Sequence, residues 1–294
     1  MDVIAVANAA HGFDGEARNP MNTHFGALIR EWRRQRGISQ LELAARANSS
    51  QRHVSFLESG RSNPSRTMVL ALTEALDMPL RARNEILAAA GFAPFYPDRP
   101  LASIELAHTR SILARMLEHH EPYPAIVLDL GWNVLMLNPA AARLVQLCVP
   151  QRRRGHSFEG LNLLRLMCDA NGLRPYIASW AHTGPALFAR LRREAAAYPG
   201  SPADRLLREL VDEKAFPPFV EPEDGPLDPT IAVELKLGDQ RIKLVNTLTT
   251  FGTPQDIAIQ ELRIEMSFPA DDASDQLLHA WADASRLRMG SSAD

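Results

Sequence analysis

The chain has 294 residues, too many for one small domain and enough for two of ordinary size. Hydrophobic residues at 46% and charged residues at 23% exclude a largely disordered chain and make a packed core the expectation. The formal charge of −3 would argue against nucleic acid as a partner only if charge were evenly spread. It is not: between Phe25 and Arg66, Arg30, Arg33, Arg34, Arg36, Arg46, Arg52, Arg61 and Arg66 stand against Glu31, Glu42 and Glu58, leaving +5 there and −8 elsewhere. Local positive charge sets affinity for a phosphate polymer, so the regional balance is the relevant one. Cys148 and Cys168 are the only cysteines and lack metal-ligand spacing, which fits a reduced, cytoplasmic compartment with no bound metal and no cofactor. No apolar run approaches the roughly 20 residues of a membrane helix, and the first twenty residues lack a secretory signal pattern.

In chain order, residues 1–23 show no sustained period and are expected to form a flexible leader. Short helical patterns follow from His24 to Gly91. Phe25, Leu28, Ile29 and Trp32 share one helical side, with arginines opposite, and Gly37 stops that helix. Ser39 is placed to cap a helix from Gln40 to Ala47, and Ser50 a helix from Gln51 to Glu58. In the latter, Val54 and Leu57 face inward, leaving Gln51, Arg52 and Ser55 outward. Two further helices, Thr67 to Leu76 and Leu80 to Ala90, complete a five-helix bundle over 24–91. Two helices joined by so short a turn form the unit that enters a major groove.

The string ISQLELAARANSSQRHVSFLESGRSNPS, Ile38 to Ser65, resembles the helix-turn-helix of the Cro and phage-repressor (XRE) family. The matching features are Ser-Gln opening the first helix, Glu42-Leu43-Ala44 within it, the short turn, and Leu57, Glu58, Gly60 and Pro64 after the second. The resemblance implies a double-stranded DNA operator as partner. Gln40 would bind a phosphate, Gln51, Arg52 and Ser55 would reach base edges, and Arg61 and Asn63 would touch the flanking backbone. Glutamine can pair bidentately with adenine, and arginine with guanine. Glu58, which phosphate would repel, is expected to make a contact within the motif. Exposed arginines such as Arg30, Arg33 and Arg83 are more often simply solvated.

The proline-rich stretch Gly91 to Pro100 breaks the helical run, so 92–121 reads as a linker and a connecting helix, Ser103 to Glu121. Ala125 to Asp129 and Trp132 to Asn138 then read as strands joined by a turn at Leu130-Gly131. Helices are expected over Pro139 to Leu147, Leu161 to Ala170, Pro175 to Tyr198 and Pro202 to Ala215. A proline-rich acidic loop precedes three strands, Ile231 to Leu237, Arg241 to Thr250 and Ile257 to Met266. The fold class is therefore two domains: an all-α five-helix bundle, then an α+β domain over 122–272 with an antiparallel sheet of about five strands and helices on one side, followed by a tail at 273–294.

Two strands, helices, then three strands is the order of PAS-like sensor domains. Tyr123 to Ala141, Asn162 to Asp169, Ala189 to Gly200 and Thr247 to Asp271 are similar to the ligand-binding domain of the MmyB-like regulators. That resemblance implies a small apolar or fatty-acid-like ligand held between sheet and helices. Candidate ligand-binding residues are Met136, Asn138, Trp180, Phe188, Asn246, Thr249 and Leu262, although a filled core would explain the apolar ones, and Asn138 could instead cap the helix after it. His182 and Glu261 are weaker candidates.

Nucleotide-binding, nucleophile-elbow and zinc-protease motifs are missing, so no catalytic residues are assigned and the chain is not expected to be an enzyme. The reading is a sequence-specific, ligand-responsive regulator acting as a homodimer, since one such motif reads few base pairs. The alternatives are a second domain that recruits a protein without a ligand, and an enzyme built on that domain.

Overall fold

The computed structural model describes residues 20–149, 158, 160–178, 180–216 and 232–290. Residues 1–19 of the leader expected over 1–23, and residues 217–229 of the acidic loop, lie outside the described residues. The chain divides into two compact units, Met1–Phe95 and Tyr96–Asp294.

The first unit is a bundle of α1 (Pro20–Gln35), α2 (Gln40–Arg46), α3 (Gln51–Glu58), α4 (Arg66–Ala75) and α5 (Leu80–Ala89). Helix α1 starts at Pro20, four residues before the expected start, and proline suits a first turn because its φ is preset and it has no N–H to leave unpaired. Serines set three other starts: Ser39, Ser50 and Ser65 each accept the backbone N–H three residues on, from Glu42, His53 and Met68 at 3.1–3.2 Å. Phe25, Ile29, Leu43, Val54, Leu57 and Leu72 are wholly buried together in one core. Each such side chain contributes roughly 1.5–3 kcal/mol relative to exposure. Close crossing of α1 and α3 depends on Gly26, where a Cβ would sit 2.4 Å from the carbonyl oxygen of Leu57.

The second unit contains α6 (Ala107–His119), β1 (Ala125–Leu128), β2 (Val134–Leu137), α7 (Pro139–Cys148), α8 (Leu163–Cys168), a 3₁₀ turn (Arg174–Tyr176), α9 (Trp180–Ala197) and α10 (Pro202–Asp212). It closes with β3 (Ala232–Leu237), β4 (Gln240–Thr249), α11 (Ile257–Glu261), β5 (Arg263–Pro269) and α12 (Asp272–Gly290). The five strands form one antiparallel sheet in the order β2-β1-β5-β4-β3.

Several expectations are corrected here. The sheet is covered on both faces, not one. Ile126, Leu128 and Val134 pack with residues of α7 to α10, while Leu106, Leu113 and Leu117, on and just before α6, pack with Val127, Ile264 and Met266 on the other face. Alternation along β1 and β5 sends successive apolar residues to opposite sides, and both sides need cover. The expected strand Ile257 to Met266 is split, because the Asp256 side chain accepts the Ala258 N–H at 2.9 Å and caps one helical turn before β5 begins. A segment as short as the five residues Ile257–Glu261 cannot be assigned to helix or strand by periodicity alone. Trp132 lies in the β1–β2 loop at φ 64°, not in the second strand, and Asp129 closes that loop by accepting the Asn133 N–H at 2.8 Å. Residues 273–290 of the segment expected as a tail lie in α12, whose Leu278 is buried with Leu235, Ile242 and Leu244, and whose Ser274 accepts the Lys243 N–H at 2.9 Å.

Candidate nucleic-acid interface and effector cavity

Helix α3 presents Gln51 and Arg52 at its exposed N-terminal end, with Ser55 half-buried one turn on. The Arg52 guanidinium lies 5.2 Å from the Phe56 ring centre and has no carboxylate partner among the described residues, so its charge is held in place but not neutralised. Arg61 is exposed, also without a carboxylate partner among the described residues; Asn63 is exposed nearby in the loop after α3.

Beneath this surface lies a network whose arginine partners were not foreseen. Glu58, fully buried at its side chain, accepts from Arg33 Nε at 2.6 Å and Nη2 at 3.0 Å, and from Gln40 Nε2 at 2.8 Å; Arg30 Nε stands 3.5 Å away. Burial alone would push this carboxyl up, but the bonds from Arg33 and Gln40 and the charges of Arg33 and Arg30 together hold it below its ordinary value. The same bond to Glu58 raises Arg33. Arg30 and Arg33 are thus structural rather than merely solvated, and Arg83 donates to the Met78 carbonyl at 2.7 Å. Glu58 does make the expected contact within the motif. Its partners escape a local reading because Arg33 lies 25 residues away. Gln40 opens α2 with one of its two amide hydrogens committed to Glu58.

In the second unit a cavity of about 80 Å³ lies between α7, α8 and the sheet. Ile126, Leu144, Met167, Ile177 and Leu244 form much of its wall, and Asn246, Glu265 and Ser267 its polar part. Of the seven expected ligand residues, Asn246 alone is in this wall. Met136 and Leu262 lie on the opposite, α6-covered face of the sheet. Asn138 accepts from the Ala141 and Ala125 N–H groups and donates to the Leu117 and Tyr123 carbonyls, a set that uses both lone pairs and both hydrogens of its amide. Trp180 packs with Ile177 and Leu235 beside the cavity, and its indole N–H is buried without a partner. Phe188 lies against Phe216 at 5.0 Å, Thr249 is exposed on β4, and His182 is exposed on α9. Glu261 is buried on α11.

Glu265 and Ser267 were missed because they sit on β5 among residues that a strand pattern marks only as alternating. Arg190 of α9 is bonded to Glu265 and, through Nε at 3.0 Å, to Glu194, which also accepts the Trp132 indole N–H at 2.8 Å. Burial would lower the Arg190 pKa, and the two carboxylates more than reverse that. A larger open cleft of about 640 Å³ lies between α8 and the end of α10, and its Arg165 is already paired with Glu209 and Glu213. None of the expected ligand residues is there. Burial pushes the thiols of Cys148 and Cys168 up to about 12, the latter against the opposing charges of Arg174 and Arg165. Among the described residues no cluster of metal-ligating side chains occurs, and no helix is long and apolar enough to cross a membrane.

Comparison with known proteins agrees with both halves. Residues 29–82 match the helix-turn-helix family model, and residues 109–280 match that of the MmyB-like transcription regulator ligand binding domain. Solved structures similar to the chain include the clp gene regulator ClgR from Corynebacterium glutamicum, at 26% identity over 25% of this chain and 91% of that one, with a TM-score of 0.22. The restriction-modification controller protein C.AhdI from Aeromonas hydrophila is 34% identical over 21% of this chain and 94% of that one, with a TM-score of 0.21. An RNA-binding light-oxygen-voltage receptor covers 90% of this chain and 64% of its own at 14% identity, with a TM-score of 0.26. No curated protein matches significantly. The second match spans more than half of the chain, and with the helix-turn-helix before it the chain belongs to the MmyB-like transcription regulators, a DNA-binding regulator with a ligand-binding domain.

Proposed function

We propose that the chain regulates transcription by binding a short inverted repeat as a homodimer, and that a small apolar effector entering the α7–α8 cavity changes that binding. In this reading Gln51, Arg52 and Ser55 read base edges, Gln40 and Arg61 hold phosphates, and Asn63 meets the flanking backbone. The observation that carries it is the exposed, carboxylate-free Arg52 beside Gln51 at the start of α3, in a stretch whose other arginines are largely tied to Glu58, Glu42 and backbone carbonyls. Two copies are needed because one helix reads few base pairs, and the effector acts only if it binds the two dimer arrangements with different affinity.

Footprinting tests the reading surface. Gln51→Ala with Arg52→Ala is expected to abolish sequence preference and leave weak, salt-sensitive binding; an unchanged footprint overturns the assignment. In this reading the second unit also helps to hold the two copies together, so a fragment ending before Leu101 is expected to bind the operator more weakly, and full affinity in that fragment overturns the dimerisation role.

A further inference from the structure

We propose that Phe56 reads the operator too, by recognising the 5-methyl group of a thymine in the base pair next to a guanine held by Arg52. This rests on α3 being the reading helix, and it adds to that helix a residue with no polar group of its own.

Val54, Leu57 and Glu58 define the buried side of α3. Counting about 100° per residue round the helix from that side, Arg52 and Phe56 stand almost opposite it, one turn apart, while Ser55 lies on the flank. Phe56 is half-buried, yet it is not among the side chains that pack into the core with Val54 and Leu57. Its ring carries Arg52 instead, with the guanidinium carbon 5.2 Å from the ring centre. That contact limits the conformations of Arg52 before DNA arrives, so less freedom is lost on pairing.

An arginine at this place pairs bidentately with O6 and N7 of guanine. Consecutive bases of a strand are stacked ~3.4 Å apart. A ring centred 5.2 Å from the guanidinium carbon therefore reaches the next base pair along the groove. Phenylalanine brings neither donor nor acceptor to that pair. A G·C pair there has no methyl to offer and would lose water from its polar groups without gaining a partner. Thymine is the one base with a methyl group in the major groove, and apolar contact with that methyl is what a phenyl ring supplies.

Selection from random duplex DNA with the full-length protein gives the operator, which is expected to hold such a thymine beside a guanine at one fixed place in each half-site. Gel-shift titration then compares that operator with two analogues, deoxyuridine for the thymine and 7-deazaguanine for the guanine. Deoxyuridine removes only the methyl, and affinity is expected to fall about fourfold per half-site, equivalent to the ~0.8 kcal/mol of one buried carbon group. Phe56→Ala is expected to bind the thymine and uracil operators equally and still to lose affinity on 7-deazaguanine. The parent protein binding both operators equally, or a selection that returns no such thymine, overturns the assignment of Phe56. A uracil penalty that survives in Phe56→Ala overturns it as well, because another side chain then meets the methyl. In each of these cases an intact 7-deazaguanine effect leaves Arg52 as a reader. If neither analogue changes affinity, the reading given to α3 fails too.

Discussion

Arg33 grips Glu58 with two parallel bonds, at 2.6 and 3.0 Å, where the carboxylate side chain is wholly buried and the Arg33 side chain 13% exposed. Such a pair joins the first and third helices of the DNA-binding unit. Removing one partner strands a charge in the interior, a loss of about 3–5 kcal/mol in comparable buried pairs. Arg33→Ala is expected near the lower end of that range, because Arg30 and Gln40 still reach Glu58. Urea unfolding of the protein checks it, and a change under about 1 kcal/mol, the scale of a surface pair, would falsify a structural role.

The same carboxylate makes the unit acid-sensitive. Its folded pKa lies below the ordinary value of 4.5, so its contribution is complete above that value and is lost as pH falls through the lower folded one. The stability gap between the parent protein and Glu58→Gln should therefore be constant from pH 7 to about 5 and close in more acid solution. A gap that instead widens with acid contradicts the sign.

Gly26 tests the approach of α1 to α3. A methyl there meets the Leu57 and Glu58 carbonyl oxygens at 2.4 and 2.8 Å, backbone atoms that cannot swing aside. Gly26→Ala is expected to cost about 1–3 kcal/mol despite its better helix propensity. A rise in melting temperature would show that the helices separate freely.

Asn138 ties α6, β1 and α7 together through four bonds to backbone groups. Asn138→Ala leaves those groups buried and unpaired, at about 1–3 kcal/mol for each one that water cannot reach. The expected result is a large loss of stability in the second unit, read by calorimetry of the full-length variant, while the transition of the first unit stays where it is in the parent protein. A stable variant that had merely lost effector binding would return Asn138 to the ligand site.

Cys148 and Cys168 are buried thiols pushed up to about 12, so neither is a thiolate at neutral pH. Iodoacetamide is expected to label them only as the second unit unfolds, with mass spectrometry following both sites. Rapid labelling of the native protein would reveal an opening that the closed structure lacks.

Helices α2 and α3 were legible in the sequence because their signals are local. Ser39, Ser50 and Gly37 mark ends within one or two turns, and the 3.6-residue period then fixes which side Val54 and Leu57 bury. Residues 257–261 were misread because five residues are too few to show a helical or a strand period, and one carboxylate, Asp256, decides the helical turn. Six of the seven expected ligand residues lie outside the α7–α8 cavity for another reason. Alternation tells that Met136 and Glu265 fall on definite faces of the sheet, but not which face holds the cavity, and helix α6 covers the side to which Met136 and Leu262 turn.

Sequence alone determined the two-unit order, the caps of α2 and α3 with the exposed Gln51 and Arg52, and the strand-rich second domain, since each rests on neighbours within a few positions. Tertiary structure alone decided that Arg33 and Gln40 meet at Glu58, and that Arg190 comes to stand behind Glu265 across 75 residues of chain. Those pairings depend on which helix crosses which strand, and burial is what gives the charges they bring together their weight.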